Sequence, residues 1–256
     1  MVNLGSLEKL TESLPQWRFL STRVISVVDG ALRRALPGRC AFCLEAAAPA
    51  APWCSSCFSA LPWNLAACPH CAEPLPEALA GEPCGHCLVA PPAFGRSRVP
   101  LRYEAEVAGM MRRFKFHASP RAGAVLLSLL EAGLPAEARG WPEAIVAVPL
   151  HPQRARERGF DQAGWLAGRL ARRLGVPLVR AERHRDTPSQ RGLDRDERQR
   201  NVRGVFRVGV PLPARVALLD DVMTTGATLN ALALACRRAG ARGVEAWAVA
   251  RTPLLP

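Results

Sequence analysis

The stretch Val216-Ala217-Leu218-Leu219-Asp220-Asp221-Val222-Met223-Thr224-Thr225-Gly226-Ala227-Thr228 decides how the 256-residue chain is read. Its four apolar residues, Val216 to Leu219, have the length of a short buried strand. Two acids stand at the carboxyl end of that strand, and a Thr/Gly turn then opens a helix. In open α/β sheets, ligands bind beyond the carboxyl ends of the strands. A turn of this kind brings backbone N–H groups and three hydroxyls to a helix N-terminus, a setting that suits a phosphate. Gly226 lets the backbone come close. Asp220 and Asp221 would repel the phosphate itself; they suit the hydroxyl pair of a ribose beside it, or a Mg2+ ion held with that ribose. One of these residues alone would say no more than an acidic helix start capped by threonine. Their order argues for a site.

The surrounding pattern agrees. Gly109 to His117, Ala122 to Ala132, Phe160 to Leu174 and Leu229 to Ala239 have helical spacing. Ala144 to Val148, Val176 to Val179, Val216 to Leu219 and Val244 to Val249 read as short buried strands. Strands separated by helices predict a parallel α/β sheet flanked by helices. Upstream, residues 1–37 read as one amphipathic helix or two, ended by the breaker Pro37-Gly38, and Pro91-Pro92 marks the entry into the larger domain. The expected division is 1–37, 38–93 and 94–256.

Eight of the nine cysteines lie between Cys40 and Cys87, in four CxxC knuckles: Cys40/Cys43, Cys54/Cys57, Cys68/Cys71 and Cys84/Cys87. A redox role explains one such motif better than four. Recurring CxxC pairs read as zinc ligands, because each turn presents two thiolates to one ion and a tetrahedral site takes four. Two structural zinc sites follow, built from consecutive knuckles as a double zinc ribbon or from interleaved ones as a cross-brace. Four thiolates leave no open position for a substrate. The segment has few large apolar residues, chiefly Phe42, Trp53, Phe58 and Trp63, so metal must supply folding energy, on the order of 10 kcal/mol per site. His70 and His86 stand within the second pair of knuckles and read as bystanders. Cys236, among alanines and leucine on a helical stretch, reads as core.

A hydrophobic content of 49% and a charged content of 22% exclude disorder for most of the length. No apolar run approaches a membrane span, and Phe19 to Leu32 is interrupted by Arg23 and Asp29. The start also lacks the basic region of a secretory signal, so a cytoplasmic location is expected. The formal charge is +12. Two zinc ions on eight thiolates would bring it to about +8. Such a surplus favours polyanionic partners, although the near-absence of lysine beside abundant arginine and alanine is also what a GC-rich coding sequence produces. From His151 to Arg203 there are 14 arginines against 7 acids.

The stretch from Val216 to Thr228 resembles the phosphoribosyl-pyrophosphate (PRPP) signature of type I phosphoribosyltransferases. With four zinc knuckles ahead of it, the chain resembles the ComF family, phosphoribosyltransferase-like proteins linked to competence and DNA uptake. That resemblance implies a type I phosphoribosyltransferase-like sheet behind a small double zinc ribbon. It implies that Asp220 and Asp221 hold the ribose hydroxyls and that Thr224, Thr225, Gly226, Ala227 and Thr228 cradle the 5′-phosphate. Val148-Pro149-Leu150-His151 would be the pyrophosphate loop, with Arg154 and Arg158 beside it. The stretch His151 to Gln162 is similar to the family's, except that Asp161 stands where asparagine is commoner, a change that bears on a local cap. Thr187, Gln190, Arg198 and Asn201 fall in a long polar stretch that resembles the family's flexible loop. Lys115, in Phe114-Lys115-Phe116, is a candidate phosphate contact, or else a solvated helix lysine. His184 has no evident partner.

Two functions fit these residues. The first is Mg2+-dependent transfer of a phosphoribosyl group from PRPP to a nitrogen acceptor that no segment names. The second is non-catalytic binding of single-stranded DNA in DNA uptake, beside a DNA-translocating helicase, as the resemblance implies. The aromatics near the arginine-rich stretch, Phe160, Trp165 and Phe206, have apolar neighbours and read as core.

Overall fold

The computed structural model describes residues 38–150, 156, 159–183 and 204–253. In chain order these form helices α1 (Ser55–Ala60) and α2 (Gly85–Val89), strands β1 (Arg96–Arg98) and β2 (Leu101–Arg102), and helices α3 (Ala105–Phe116), α4 (Pro120–Gly133) and α5 (Ala136–Arg139). Strand β3 (Ala144–Ala147), helix α6 (Gln162–Leu174) and strands β4 (Leu178–Arg180), β5 (Glu182–Arg183), β6 (Phe206–Arg207) and β7 (Arg215–Met223) follow, then helix α7 (Ala227–Arg238) and strand β8 (Gly243–Arg251). The N-terminal helical segment expected over 1–37 lies outside the described residues.

The sheet runs in the order β1, β8, β7, β3, β4, every pair parallel, with β2 continuing along β8 beyond β1. A parallel sheet is covered on both faces by its crossover helices, so its central strands are apolar throughout instead of alternating. Accordingly β3 is buried along its whole length and β8 at all but Gly243. This is the parallel α/β architecture expected from the alternation of strands and helices.

Strand β7 is longer than its apolar run. It continues through both acids to Met223, because β8 supplies the ladder there: Asp220 lies opposite Ala248 and Val222 opposite Ala250. The arginine-rich β1 carries no apolar alternation and has no counterpart in the sequence pattern. Strands β5 and β6 form a small antiparallel pair of their own. Helix α6 begins on Asp161, whose carboxylate accepts from the Gly164 N–H at 3.0 Å, and ends at Gly175 with φ 70°. The aspartate therefore serves as the N-cap, as Asn or Asp equally can.

The strand order also gives the sheet a point of reversal. From β3 the chain crosses through α6 outward to β4; from β7 it crosses through α7 in the opposite direction to β8. The point of reversal lies between β3 and β7, and crevices at such points take ligands beyond the carboxyl ends. Val148 N–H donates to Leu219 O at 3.0 Å, which sets the start of the loop after β3 beside Asp220.

The chain divides into two compact units between Ala60 and Leu61. Each contains one zinc turn, and the two turns are built alike. In the first, Cys40 N–H donates to Glu45 O at 2.7 Å and Leu44 adopts φ 68°. In the second, Cys68 N–H donates to Glu73 O at 2.9 Å and Ala72 adopts φ 54°.

In the larger unit four consecutive carbonyls of the second turn are taken, three by sheet residues and the fourth by Asn64. Pro69 O accepts from Ser97 N–H at 2.9 Å, His70 O from the Ser97 hydroxyl, Cys71 O from Arg251 Nε at 3.0 Å, and Ala72 O from Asn64 Nδ2 at 2.9 Å. Arg251, at the end of β8, is fully buried. Its guanidinium also pairs with the Glu73 carboxylate at 2.5 Å and donates to the carbonyls of Met223, Thr224 and Thr252.

Removing one partner of a buried ion pair leaves an uncompensated charge. Arg251→Leu should therefore lower stability by about 3–5 kcal/mol, read as a fall in the urea midpoint of the zinc-loaded protein.

Candidate functional site

The two four-cysteine groups form from consecutive knuckles: Cys40, Cys43, Cys54 and Cys57 in one, Cys68, Cys71, Cys84 and Cys87 in the other. In each, all four sulfurs lie within 4.8 Å of one another. A tetrahedral ion with Zn–S bonds of about 2.3 Å needs sulfurs roughly 3.8 Å apart. Cys43 and Cys54 are 3.7 Å apart, and Cys71 and Cys84 are 3.6 Å apart. The geometry and the soft donor set fit Zn2+, and both groups are closed, structural sites. Backbone N–H groups of Phe42, Cys57 and Cys84 donate to the sulfurs of Cys40, Cys54 and Cys68. His70 belongs to neither group; its Nδ1 lies 2.9 Å from Gly95 O.

Metal-free, some sulfurs in each group hold on to protons. Contacts with Cys43 and Cys54 push Cys57 up to about 12. Burial, with the charges of Cys68 and Cys84, does the same to Cys71. A dication displaces those protons, so zinc binding releases them.

The Thr/Gly turn follows β7 directly. Gly226 is the N-cap of α7 with φ 77°, a left-handed conformation that a Cβ would strain. Having no side chain, it supplies no cap of its own. Thr225 Oγ1 accepts from Ala227 N–H at 3.4 Å. Arg251 holds the Met223 and Thr224 carbonyls on its own side. A trans peptide points its C=O and N–H in opposite directions, so the N–H groups of Thr224 and Thr225 are turned away from that buried charge. Arg251 was not among the residues singled out from the sequence. The one signal it left is a charged residue closing an otherwise apolar strand.

The two acids are treated differently. Asp220 accepts from the Asp221 N–H at 2.8 Å and is half-buried. Asp221 is 8% exposed and pairs with Lys115 Nζ at 3.1 Å. Lys115 comes from the last turn of α3, which is seated by Phe114 packed edge-on against Phe160 and Trp165. The structure thus brings Lys115 to the acid pair. Leu150 lines a cavity of about 110 Å3 at the carboxyl ends of β3 and β4, together with Asp161 and Arg180. His151, Arg154, Arg158, Thr187, Gln190, Arg198 and Asn201 lie outside the described residues, as does His184. Cys236 is fully buried and its thiol is pushed up to about 12 by that burial, which suits a core residue.

A sequence profile for the double zinc ribbon domain matches residues 31–88. Competence protein F of Haemophilus influenzae is 32% identical over 208 residues, covering 77% of this chain and 90% of that protein. The chain belongs to the competence protein F (ComF) family. Another ComF relative, the DNA utilization protein YhgH of Salmonella typhimurium, is 33% identical over 226 residues, 85% of this chain and 98% of that protein. Among solved structures, an orotate phosphoribosyltransferase from Aeropyrum pernix is similar at 23% identity and a TM-score of 0.36, over 54% of this chain and 63% of that one. No helix among the described residues of this ComF protein is long and apolar enough to cross a membrane.

Two outcomes are expected. Metal analysis of the purified protein should return two zinc ions per chain, with affinity that rises with pH because each ion displaces thiol protons; chelator competition at several pH values reads this. Lys115→Met should cost about 2 kcal/mol, between the values for exposed and fully buried pairs. The double variant Lys115→Met/Asp221→Asn should recover most of that loss in chemical denaturation.

Proposed function

We propose that this ComF protein binds PRPP or a related phosphoribosyl group together with Mg2+. The observation that carries the reading is the order of groups at one edge of the sheet. Two carboxylates lie among the last residues of β7, a Thr/Gly turn opens α7, and the loop after β3 starts alongside at the point where the sheet reverses. Thr224 to Thr228 cradle the 5′-phosphate, and Asp220 and Asp221 face the ribose hydroxyls. Leu150 and His151, with Arg154 and Arg158, take the pyrophosphate. Thr187, Gln190, Arg198 and Asn201 contribute to binding the same ligand.

Carboxylate and hydroxyl oxygens are the hard donors that Mg2+ takes, so this edge suits the ion. Lys115 already supplies a positive charge to Asp221, which leaves Asp220 the greater share in holding Mg2+ with the ribose. When bound, the ion supplies neutralisation of the pyrophosphate charge. The chain's own part is to fix the phosphate, orient the ribose and keep water from its anomeric carbon. Transfer to a nitrogen acceptor is the extension of this reading into catalysis.

A second reading is favoured by the names of the relatives, competence and DNA utilization, and by the excess of arginine between His151 and Arg203. In it the same cradle holds a sugar-phosphate unit of single-stranded DNA without turnover. The protein then serves DNA uptake on the cytoplasmic side, beside a helicase. Such binding weakens steeply with salt.

Calorimetric titration of Mg2+-PRPP into the zinc-loaded protein tests the first reading. Asp220→Asn/Asp221→Asn should weaken binding by about 100-fold, two charge-assisted hydrogen bonds at roughly 1.5 kcal/mol each. Absence of PRPP binding, with an oligonucleotide still bound, removes the enzyme reading.

A further inference from the structure

A cavity of about 410 Å3 lies between the second four-cysteine group and the Thr/Gly turn, entirely within the larger compact unit. Thr225, Gly226 and Ala227 form one wall. The opposite wall is the end of α2 and the chain that leaves it, including Val89, Ala90, Pro91 and Pro92, with the buried Phe94 nearby.

Size is the first argument. Counting about 30 Å3 for each oxygen, a phosphate displaces on the order of 120 Å3. More than half of the cavity is therefore left for something attached to it.

Position is the second. Neither Asp220 and Asp221 nor the loop Val148–Leu150 lines this cavity; that loop lines the smaller one. A ribose on the acids and a pyrophosphate at the β3 loop would therefore leave this cavity unfilled. The open volume is reached by passing the phosphate, away from the anomeric carbon.

Charge is the third. No arginine or lysine lines the cavity among the described residues, whereas Cys71 and Cys87 do. Four thiolates on one Zn2+ carry a net negative charge, which disfavours a second anion against this wall. The apolar surface of Val89, Pro91, Pro92 and Phe94 instead suits a neutral group with a flat face. His86, exposed on the same lining, offers ring nitrogens to its polar edge.

We infer that the phosphate held by the turn carries a second ester, and that the zinc knuckle and turn together receive the nucleoside on that side. The ligand class is then a nucleoside phosphodiester, such as an internal link of a single strand, which fills both sides of the turn. A free sugar phosphate fills one. This inference rests on the reading of Thr224 to Thr228 as a phosphate cradle.

The test compares two probes on the full-length, zinc-loaded protein: Mg2+-PRPP and the dinucleoside monophosphate thymidylyl-(3′→5′)-thymidine. Ala90→Trp places bulk in the cavity from an exposed position at the end of α2. It should weaken the dinucleoside phosphate at least about tenfold, or 1.4 kcal/mol, and leave PRPP within about twofold. Zinc content and unfolding midpoint establish that the variant is folded; should it fail, Val89→Trp reads the same wall. Equal dinucleoside affinity in wild type and variant overturns the inference, as does equal weakening of both probes in a folded variant. PRPP binding without any dinucleoside binding also overturns it and leaves the phosphate cradle standing. Failure of both probes on wild type removes the cradle reading and this inference together.

Discussion

The larger unit depends on a single guanidinium with no access to water. Burying an arginine costs several kcal/mol unless its charge is paired and its donors are met. Here the charge is met by Glu73, and the remaining donors by carbonyls from the zinc turn, the end of β7 and the residue after β8. The ion pair therefore acts as a positional constraint more than as a source of net stability. It fixes the second zinc turn, the exit of the acid-bearing strand and the last strand of the sheet relative to one another. Because it grips the carbonyls at the start of the Thr/Gly turn, the direction of the Thr224 and Thr225 N–H groups is set from behind by a buried side chain.

Much of this was legible because the chemistry lies in contiguous sequence. The acid pair, the threonines and Gly226 follow one another at a strand end, so the run from Val216 to Thr228 declared both the parallel sheet and the edge that matters. The cysteine knuckles declared themselves by spacing, and their pairing as consecutive couples followed once the sulfurs were in place. What stayed hidden depends on partners far away in the chain. Asp220 and Val222 lie in a strand because Ala248 and Ala250 hold them there. Lys115 stood out as an isolated lysine, but nothing in its neighbourhood named Asp221. The four carbonyls from Pro69 to Ala72 carry no side-chain signature at all, and so the attachment of the second zinc turn to the sheet had no trace in residue identity.

The two zinc groups, alike in their turns, differ in surroundings. In the first, Cys43 is exposed and Cys54 and Cys57 are half-buried; in the second, all four cysteines are buried. The first closes a small unit whose described apolar content is slight, and its metal stands in for a core. The second sits among hydrogen bonds that tie its backbone to β1, β8 and Asn64, so its metal adds to an attachment already made. One motif thus performs two physical tasks within a single ribbon pair.

The broken edge formed by β1 and β2 has a consequence for the behaviour of the protein in a crowded solution. Strands β7 and β8 contain long apolar stretches that, laid bare, would make good templates for cross-β stacking. They are held in the interior of the sheet, and the strands outside them are poor templates. The β8 side is flanked by Arg96-Ser97-Arg98, then interrupted at Val99-Pro100; the β3 side ends in the three residues of β4, closing on Arg180. Short length, positive charge and a proline are the features that stop a sheet from recruiting strands of a neighbouring molecule. The fold keeps its most aggregation-prone segments behind borders at which the sheet cannot grow.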